Sequence, residues 1–244
     1  MVKYFIYIWF IFSFIACKKA TERRCWKSVG EPGKRSLSIA DVERFVLHKN
    51  ITYIMHQNDS NKVVIEAGVN MLHLVEVRNE AAVLTIENKS YCNFLRDADK
   101  KVKVHIHYPA FKNIYAEISD SIIFLDTMKG ESLHLEMREA GGVAVLTTQL
   151  NDLKLLVSAG PGSFVVKGFA KYANLKVQGQ GFGDATGLSM KFISIYQNSV
   201  ANLKVNLQDT EGNVLIDGAG SVLYKGIPKN VEIIQNGVGN FSQF

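Results

Sequence analysis

From about residue 115 onward the sequence returns to a small-residue turn at a nearly fixed interval, and that interval constrains the fold more than any other feature. The turns are Ser119-Asp120-Ser121, Gly141-Gly142, Gly160-Pro161-Gly162, Gly181-Phe182-Gly183, Asn198-Ser199, Gly218-Ala219-Gly220 and Gly237-Val238-Gly239. Counted from Asp120 through positions 141, 160, 181, 199, 218 and 237, the steps are 21, 19, 21, 18, 19 and 19 residues. Strand-like pieces at 153–158, 175–178, 192–196, 214–216 and 231–235 alternate with the turns. A unit of about 20 residues with one or two strands cannot bury its apolar face alone and must stack on its neighbours, which is the sequence form of a β-solenoid. Glycine suits the corners because stacked turns crowd the backbone. A meander or sandwich with evenly spaced hairpins is the competing architecture; the constancy of the step favours the solenoid.

Upstream, apolar residues alternate in short runs: Val63 and Ile65; Leu72 and Leu74; Val83 and Thr85 with Leu84 and Ile86 opposite; Val102, Val104 and Ile106. Period two with β-branched residues predicts strands, broken at Asn58-Asp59-Ser60-Asn61, Gly68 and Asn79-Glu80. Only residues 41–45 suggest a short turn of helix. The expected fold is therefore all-β, a right-handed parallel β-helix-like solenoid over 111–244. An irregular β region over 36–110, continuous with it, caps one end, and the tail 241–244 covers the other.

The start of the chain reads as an address. Residues 4–15 are apolar except for Ser13, with Lys3 ahead and Ala16-Cys17 behind. A run of about 12 apolar residues is too short to span a bilayer as a helix and reads as a signal peptide over 1–16. The small residue before Cys17 resembles a bacterial lipobox, with Phe14 and Ile15 bulkier than usual, which predicts a lipidated (palmitate-bearing) Cys17 and a tether over 17–35. Ordinary cleavage or an uncleaved anchor is the alternative. The tether holds seven cations against Glu22 and Glu31, whereas from residue 36 the chain has 20 cations and 21 acids. The pI of 9.0 thus belongs to one short arm; the near-neutral body argues against nucleic acid, and the seven cations beside an apolar run suit an anionic membrane surface. With Cys17 given to lipid, Cys25 and Cys92 remain in a compartment that permits a disulfide, against the alternative of two separate buried thiols.

The run Arg24-Cys25-Trp26-Lys27-Ser28-Val29-Gly30, then Tyr91-Cys92-Asn93-Phe94-Leu95-Arg96, then Gly-x-Gly rungs ending in Gly218-Ala219-Gly220-Ser221-Val222-Leu223-Tyr224-Lys225-Gly226-Ile227-Pro228 resembles a known group. It is similar to the head GIN domain family of auto-transporter adhesins, envelope lipoproteins of Bacteroidota. The resemblance covers nearly the whole mature chain and implies a parallel β-helix-like fold and an exported location. The corners Asp120-Ser121, Gly141-Gly142 and Asn198-Ser199 depart from the family's usual Ser-Gly-Ser-Gly-Asp rungs, so no repeated ligand site is implied.

Candidates for chemistry are few. Asp152, Asp184, Asp209 and Asp217 sit at different phases of the repeat, whereas lyases and hydrolases on such folds need converging carboxylates. His105 and His107 share a strand face by i, i+2 spacing, the beginning of a metal site with no third ligand apparent; a solvated face explains them better. Gly179-Gln180-Gly181-Phe182-Gly183-Asp184 lacks the helix and Lys-Ser/Thr of a phosphate loop, and Gly-x-Ser-x-Gly is absent. Asp120-Ser121-Ile122 and Asp126-Thr127-Met128 resemble bacterial O-glycosylation sites at Ser121 and Thr127. Phe164, Phe169, Tyr172, Phe182, Tyr196 and Tyr224 could stack on sugars, or on one another and the core. The expected protein is a non-catalytic outer-membrane lipoprotein, facing the periplasm or the cell surface, without metal or cofactor. It would present a solenoid surface to glycan or protein as an adhesin-like or scaffold module. A carbohydrate-active lyase or hydrolase is the alternative.

Overall fold

The computed structural model describes residues 28–90 and 101–244. It is a β-solenoid of about seven turns. The strands are β1 (Pro32–Ser38), β2 (Arg44–Leu47), β3 (Thr52–Gln57), β4 (Lys62–Gly68), β5 (Val75–Glu80), β6 (Val83–Asn88), β7 (Lys103–Tyr108), β8 (Asn113–Ala116) and β9 (Ser121–Arg138). They continue as β10 (Val143–Ser158), β11 (Ser163–Gly179), β12 (Phe182–Ser199), β13 (Leu203–Asn206), β14 (Glu211–Ile216), β15 (Val222–Lys225), β16 (Asn230–Gln235) and β17 (Phe241–Gln243). A single 3₁₀ turn, Leu72–Leu74, is the only helical piece among the described residues. Residues 41–45, where the spacing suggested a helical turn, instead lead into β2, because Phe45 and Leu47 pair with parallel neighbours on both sides.

The long strands β9–β12 each turn corners, and their burial pattern marks where. In β10 the inward residues are Ala144, Leu146, Thr148 and Leu150, then Leu153, Leu155 and Val157; the parity flips at the outward pair Asn151-Asp152. In β11 the flip falls at Lys171-Tyr172 and in β12 at Lys191-Phe192. Side chains alternate across a strand, so two successive outward residues are what a corner looks like in sequence.

Two columns of inward residues define the core. On a front sheet the registered partners run Ile65, Val104, Tyr53, Ile122, Ala144, Phe164, Gly183, Leu203, Val222 and Phe241. On a back sheet they run Leu84, Phe45, Ile114, Leu135, Leu155, Leu175, Ile195 and Val214, and Ile233, registered on Val214 in the last rung, is exposed. From Ile122 the front column advances through 144, 164, 183, 203, 222 and 241. Rungs of 19 to 22 residues follow from those positions. Buried hydroxyls stitch one coil to the next, Ser199 Oγ donating to Gly181 O at 2.5 Å and Thr210 Oγ1 to Met190 O at 3.1 Å, while Gln197 Nε2 donates to Ala201 O at 2.6 Å within its own corner. Each satisfies a corner carbonyl that the ladder misses.

Order in space departs from order in the chain at one end. The coil of β2 and β3 lies between the coil of β6 and β7 and that of β8 and β9, all in parallel register. Beyond it the stack ends in antiparallel pairs, β4 on β7, β1 on β4, and β5 on β6. Arg35 spans the end, donating from Nη2 to Val75 O at 2.5 Å and so linking β1 to β5. At the other end the tail folds as a rung: Phe241 pairs with Val222, and its ring stacks on Tyr224 at 4.4 Å.

Candidate binding face

The front sheet carries the most unusual outward surface. One outward row, read across the strands, is Ser36, Val64, His105, Ile54, Ile123, Val145, Val165, Asp184 and Lys204. Five of these nine are β-branched apolar residues on a surface where alternation ordinarily places polar side chains. Val145 is 39% exposed, and Leu125, pushed out by the bulge after Ile123, is 61% exposed.

Against this row sits a histidine cluster that joins two strands. His56 on β3 is in register with His107 on β7, and their rings stack at 4.2 Å with an 8° interplanar angle. His56 Nε2 lies 3.0 Å from His105 Nδ1. Asn58 Nδ2 is 3.0 Å from His107 Nδ1, which accepts, leaving the His107 proton on Nε2. His105 Nε2 is buried, 3.6 Å from Glu66 Oε2 and without a hydrogen-bond partner. A lone pair there would face a carboxylate, so the favoured tautomer puts the proton on His105 Nε2 and lets His56 Nε2–H donate to His105 Nδ1. Burial and the neighbouring His105 hold His56 below the ordinary imidazole range, against the pull of Asp126. Burial, His56 and Lys62 do the same to His107. The hydrogen bond from Lys34 holds Glu66 below the usual carboxylate range in spite of its partial burial.

The sequence pairs only His105 with His107. His56 is missed because it is 49 residues earlier and reaches them through parallel pairing of β3 with β7. The four acids are not brought together: Asp184 lies on the front sheet opposite Lys204, Asp152 at the corner opening the back sheet, Asp217 beyond the end of β14 with Asn236, and Asp209 in the turn before β14. Among the described residues no set of three or more His, Cys, Asp or Glu is placed to hold a metal ion. Tyr172 and Phe192 stack on each other at 5.0 Å along one corner, with Lys171 over Tyr172; Phe164 is buried in the core. Phe169 and Phe182 are exposed singly, and the Tyr196 hydroxyl accepts from Asn198.

The turn glycines occupy one corner in two adjoining files. Gly162, Gly181, Gly220 and Gly239 follow the register of Ser163 with Phe182 and of Leu203 with Val222 and form one file, with Gly183 continuing into the front column. Gly160, Gly218 and Gly237 form the other, two residues earlier. Thr127 is exposed beside the Leu125-Asp126 bulge, whereas Ser121 is half-buried with its amide on Asp120. Cys17, Cys25 and Cys92 lie outside the described residues.

The family model for the putative auto-transporter adhesin, head GIN domain, matches residues 43–228. The chain belongs to that family. Three solved structures resemble this head GIN chain and show its fold. A putative adhesin from Bacteroides fragilis has a TM-score of 0.76 at 16% identity, covering 88% of this chain and 97% of its own. A putative adhesin from Parabacteroides distasonis has 0.61 at 19%, covering 88% and 98%. A putative lipid binding protein from Parabacteroides distasonis has 0.58 at 18%, covering 88% and 97%. No curated protein matches. The family suggests binding at the envelope or cell surface. No helix among the described residues is long and apolar enough to cross a membrane.

Proposed function

We propose that this head GIN chain is a non-catalytic, lipid-anchored binding module of the outer membrane that presents its front sheet to a glycan or protein. The observation that carries the reading is the outward apolar run Ile54, Ile123, Val145 and Val165, with Val64 one strand beyond His105, across the registered strands of the front sheet. An apolar strip on an outward sheet face is characteristic of a contact surface. Its direction suits an extended ligand lying across the strands. The test is a glycan array and an envelope pull-down with the full chain and with Val145→Lys, a change at an exposed position that the fold tolerates. A ligand retained by the wild type is expected to be lost by the variant; equal retention by both would remove this face from the reading.

The anchor and the covalent link belong to the same proposal. Cys17 carries the lipid, and labelled palmitate is expected to disappear from Cys17→Ala together with membrane retention. Unchanged retention would remove the anchor. Cys25 and Cys92 are joined, so nonreducing peptide mapping is expected to recover them as one linked pair, and free thiols at both positions would refute it. Exposure on a corner makes Thr127 the better of the two O-glycosylation candidates, ahead of Ser121.

A further inference from the structure

We propose that His56, His105 and His107, with Lys62 beside them, form a proton-coupled site for an anionic group, a carboxylate, sulfate or phosphate, carried by a ligand on the front sheet. This deepens the binding reading by naming the chemistry of one end of the surface. Its test needs no natural ligand, so its failure leaves the Val145→Lys comparison standing.

The donors lie on three neighbouring registered positions, the Lys62 ammonium, His107 Nε2–H and, once protonated, His56 Nδ1, while His105 holds His56 in place. His107 and Lys62 are opposed across β7 and β4, His56 and His107 across β3 and β7, and His105 contacts His56. The charged groups facing the cluster are Lys34 on β1, Lys62 and Glu66 on β4, Lys103 on β7, and Asp126 in the bulge of β9. Both acids already have partners. Glu66 is bridged by Lys34, and Asp126 Oδ2 accepts from the Gln57 amide at 3.0 Å. The Lys34 bridge offsets Glu66, whereas Asp126 keeps its charge and favours the protonated forms of His56 and His107, so an external anion adds to its pull.

With neutral imidazoles the cluster is nearly closed on itself, and a proton can enter without breaking it. His56 uses Nε2–H toward His105, so its Nδ1 can be protonated while that contact persists. The resulting cation stacks on His107 and is disfavoured by burial and by neighbouring His105, against the pull of Asp126, while burial, His56 and Lys62 weigh in the same way on a proton at His107. An external anion relieves that penalty. Anion binding therefore takes up a proton, and the affinity falls as pH rises through the histidine range, about tenfold per unit for one coupled proton.

The experiment follows the imidazole resonances of all six histidines in the full chain through a pH titration, in chloride and with inorganic sulfate added. His56 and His107 are expected to titrate below the ordinary imidazole range in chloride. Sulfate is expected to raise that pair by roughly 0.5–1 unit and to leave the resonances of the histidines outside the cluster unmoved by its addition. Lys62→Ala and His107→Gln are each expected to shrink the His56 response, and either can be checked for folding by the unchanged amide spectrum of β11 and β12. A sulfated linear polysaccharide binding more tightly per sulfate than the inorganic ion identifies a polymer as the source of the anion, and equal binding identifies a free anion. No sulfate response, or an equal response from all six histidines, overturns the site.

Discussion

Replacing Gly142 with alanine is expected to lower stability by roughly 2–4 kcal/mol, while the same change one residue earlier, Gly141→Ala, is expected to be neutral or slightly stabilising. A Cβ on Gly142 would stand 1.5 Å from Asp120 O and 2.6 Å from its carbonyl carbon, with the Ile118 side chain at 3.0 Å. Those backbone atoms belong to the preceding coil and cannot rotate aside as a side chain can. Relief requires lifting one rung off the next, which stretches the ladder on both sheets. Gly141 projects where a Cβ meets nothing within 4 Å and does not have the positive φ that would strain alanine. There, alanine mainly restricts the unfolded chain, worth about 0.4–1 kcal/mol in favour of the fold. Thermal unfolding of both variants checks the contrast, with a fall of about 5–15 °C for the first. Equal melting temperatures would mean that the coils are not in contact at this corner.

That pair shows how far the sequence carries the fold. The spacing of Gly-x-Gly turns places a corner correctly, because a crowded corner leaves a chemical trace. It does not set the register. Gly160 and Gly181 look equivalent as the first glycines of their turns, yet the hydrogen-bonded partner of the Gly181 file is Gly162, since the pairing of Ser163 with Phe182 fixes it. Upstream of residue 110 the trace fades for a topological reason. The β2–β3 coil is laid between two coils made later in the chain, so residues adjacent in space are 39 to 69 apart in sequence and no fixed period survives. The strands remain legible by alternation, but their membership of the parallel stack does not.

The surface follows the same rule. His105 and His107 are paired by i, i+2 spacing, which is local; His56 enters through a register that only the assembled stack defines. The apolar row is hidden in sequence because Ile54, Ile123, Val145 and Val165 each sit beside an inward apolar residue and read simply as parts of buried strands. Conversely, Tyr172 attracts attention as a sugar platform. Its corner position one rung from Phe192 instead makes each ring cover one face of the other.

Phe45→Ala tests the out-of-order coil itself, with an expected loss of about 3–5 kcal/mol. Phe45 is fully buried on β2, and its ring meets Tyr108 at 5.4 Å and Phe111 at 5.1 Å, both in or just after β7. Through β2 it also touches the registered residues Leu84 on β6 and Ile114 on β8. One side chain therefore fills the space between two coils that both come later in the chain. The Tyr108 hydroxyl, which accepts from the Val42 amide at 2.7 Å and donates to the Val42 carbonyl at 3.0 Å, sits against the same ring. Because stacked coils are stabilised mainly by nearest neighbours, the damage should stay local. Hydrogen exchange is expected to accelerate in β2, β6 and β8 while β11 and β12 keep their protection. Phe192→Ala, which removes a ring 37% exposed at a corner, is expected to cost about 1 kcal/mol or less from the lost ring pair and to leave the exchange of β2 unchanged. Uniform acceleration along the whole solenoid in Phe45→Ala would show instead that the coils unfold as one unit and that β2 is no seam between its neighbours.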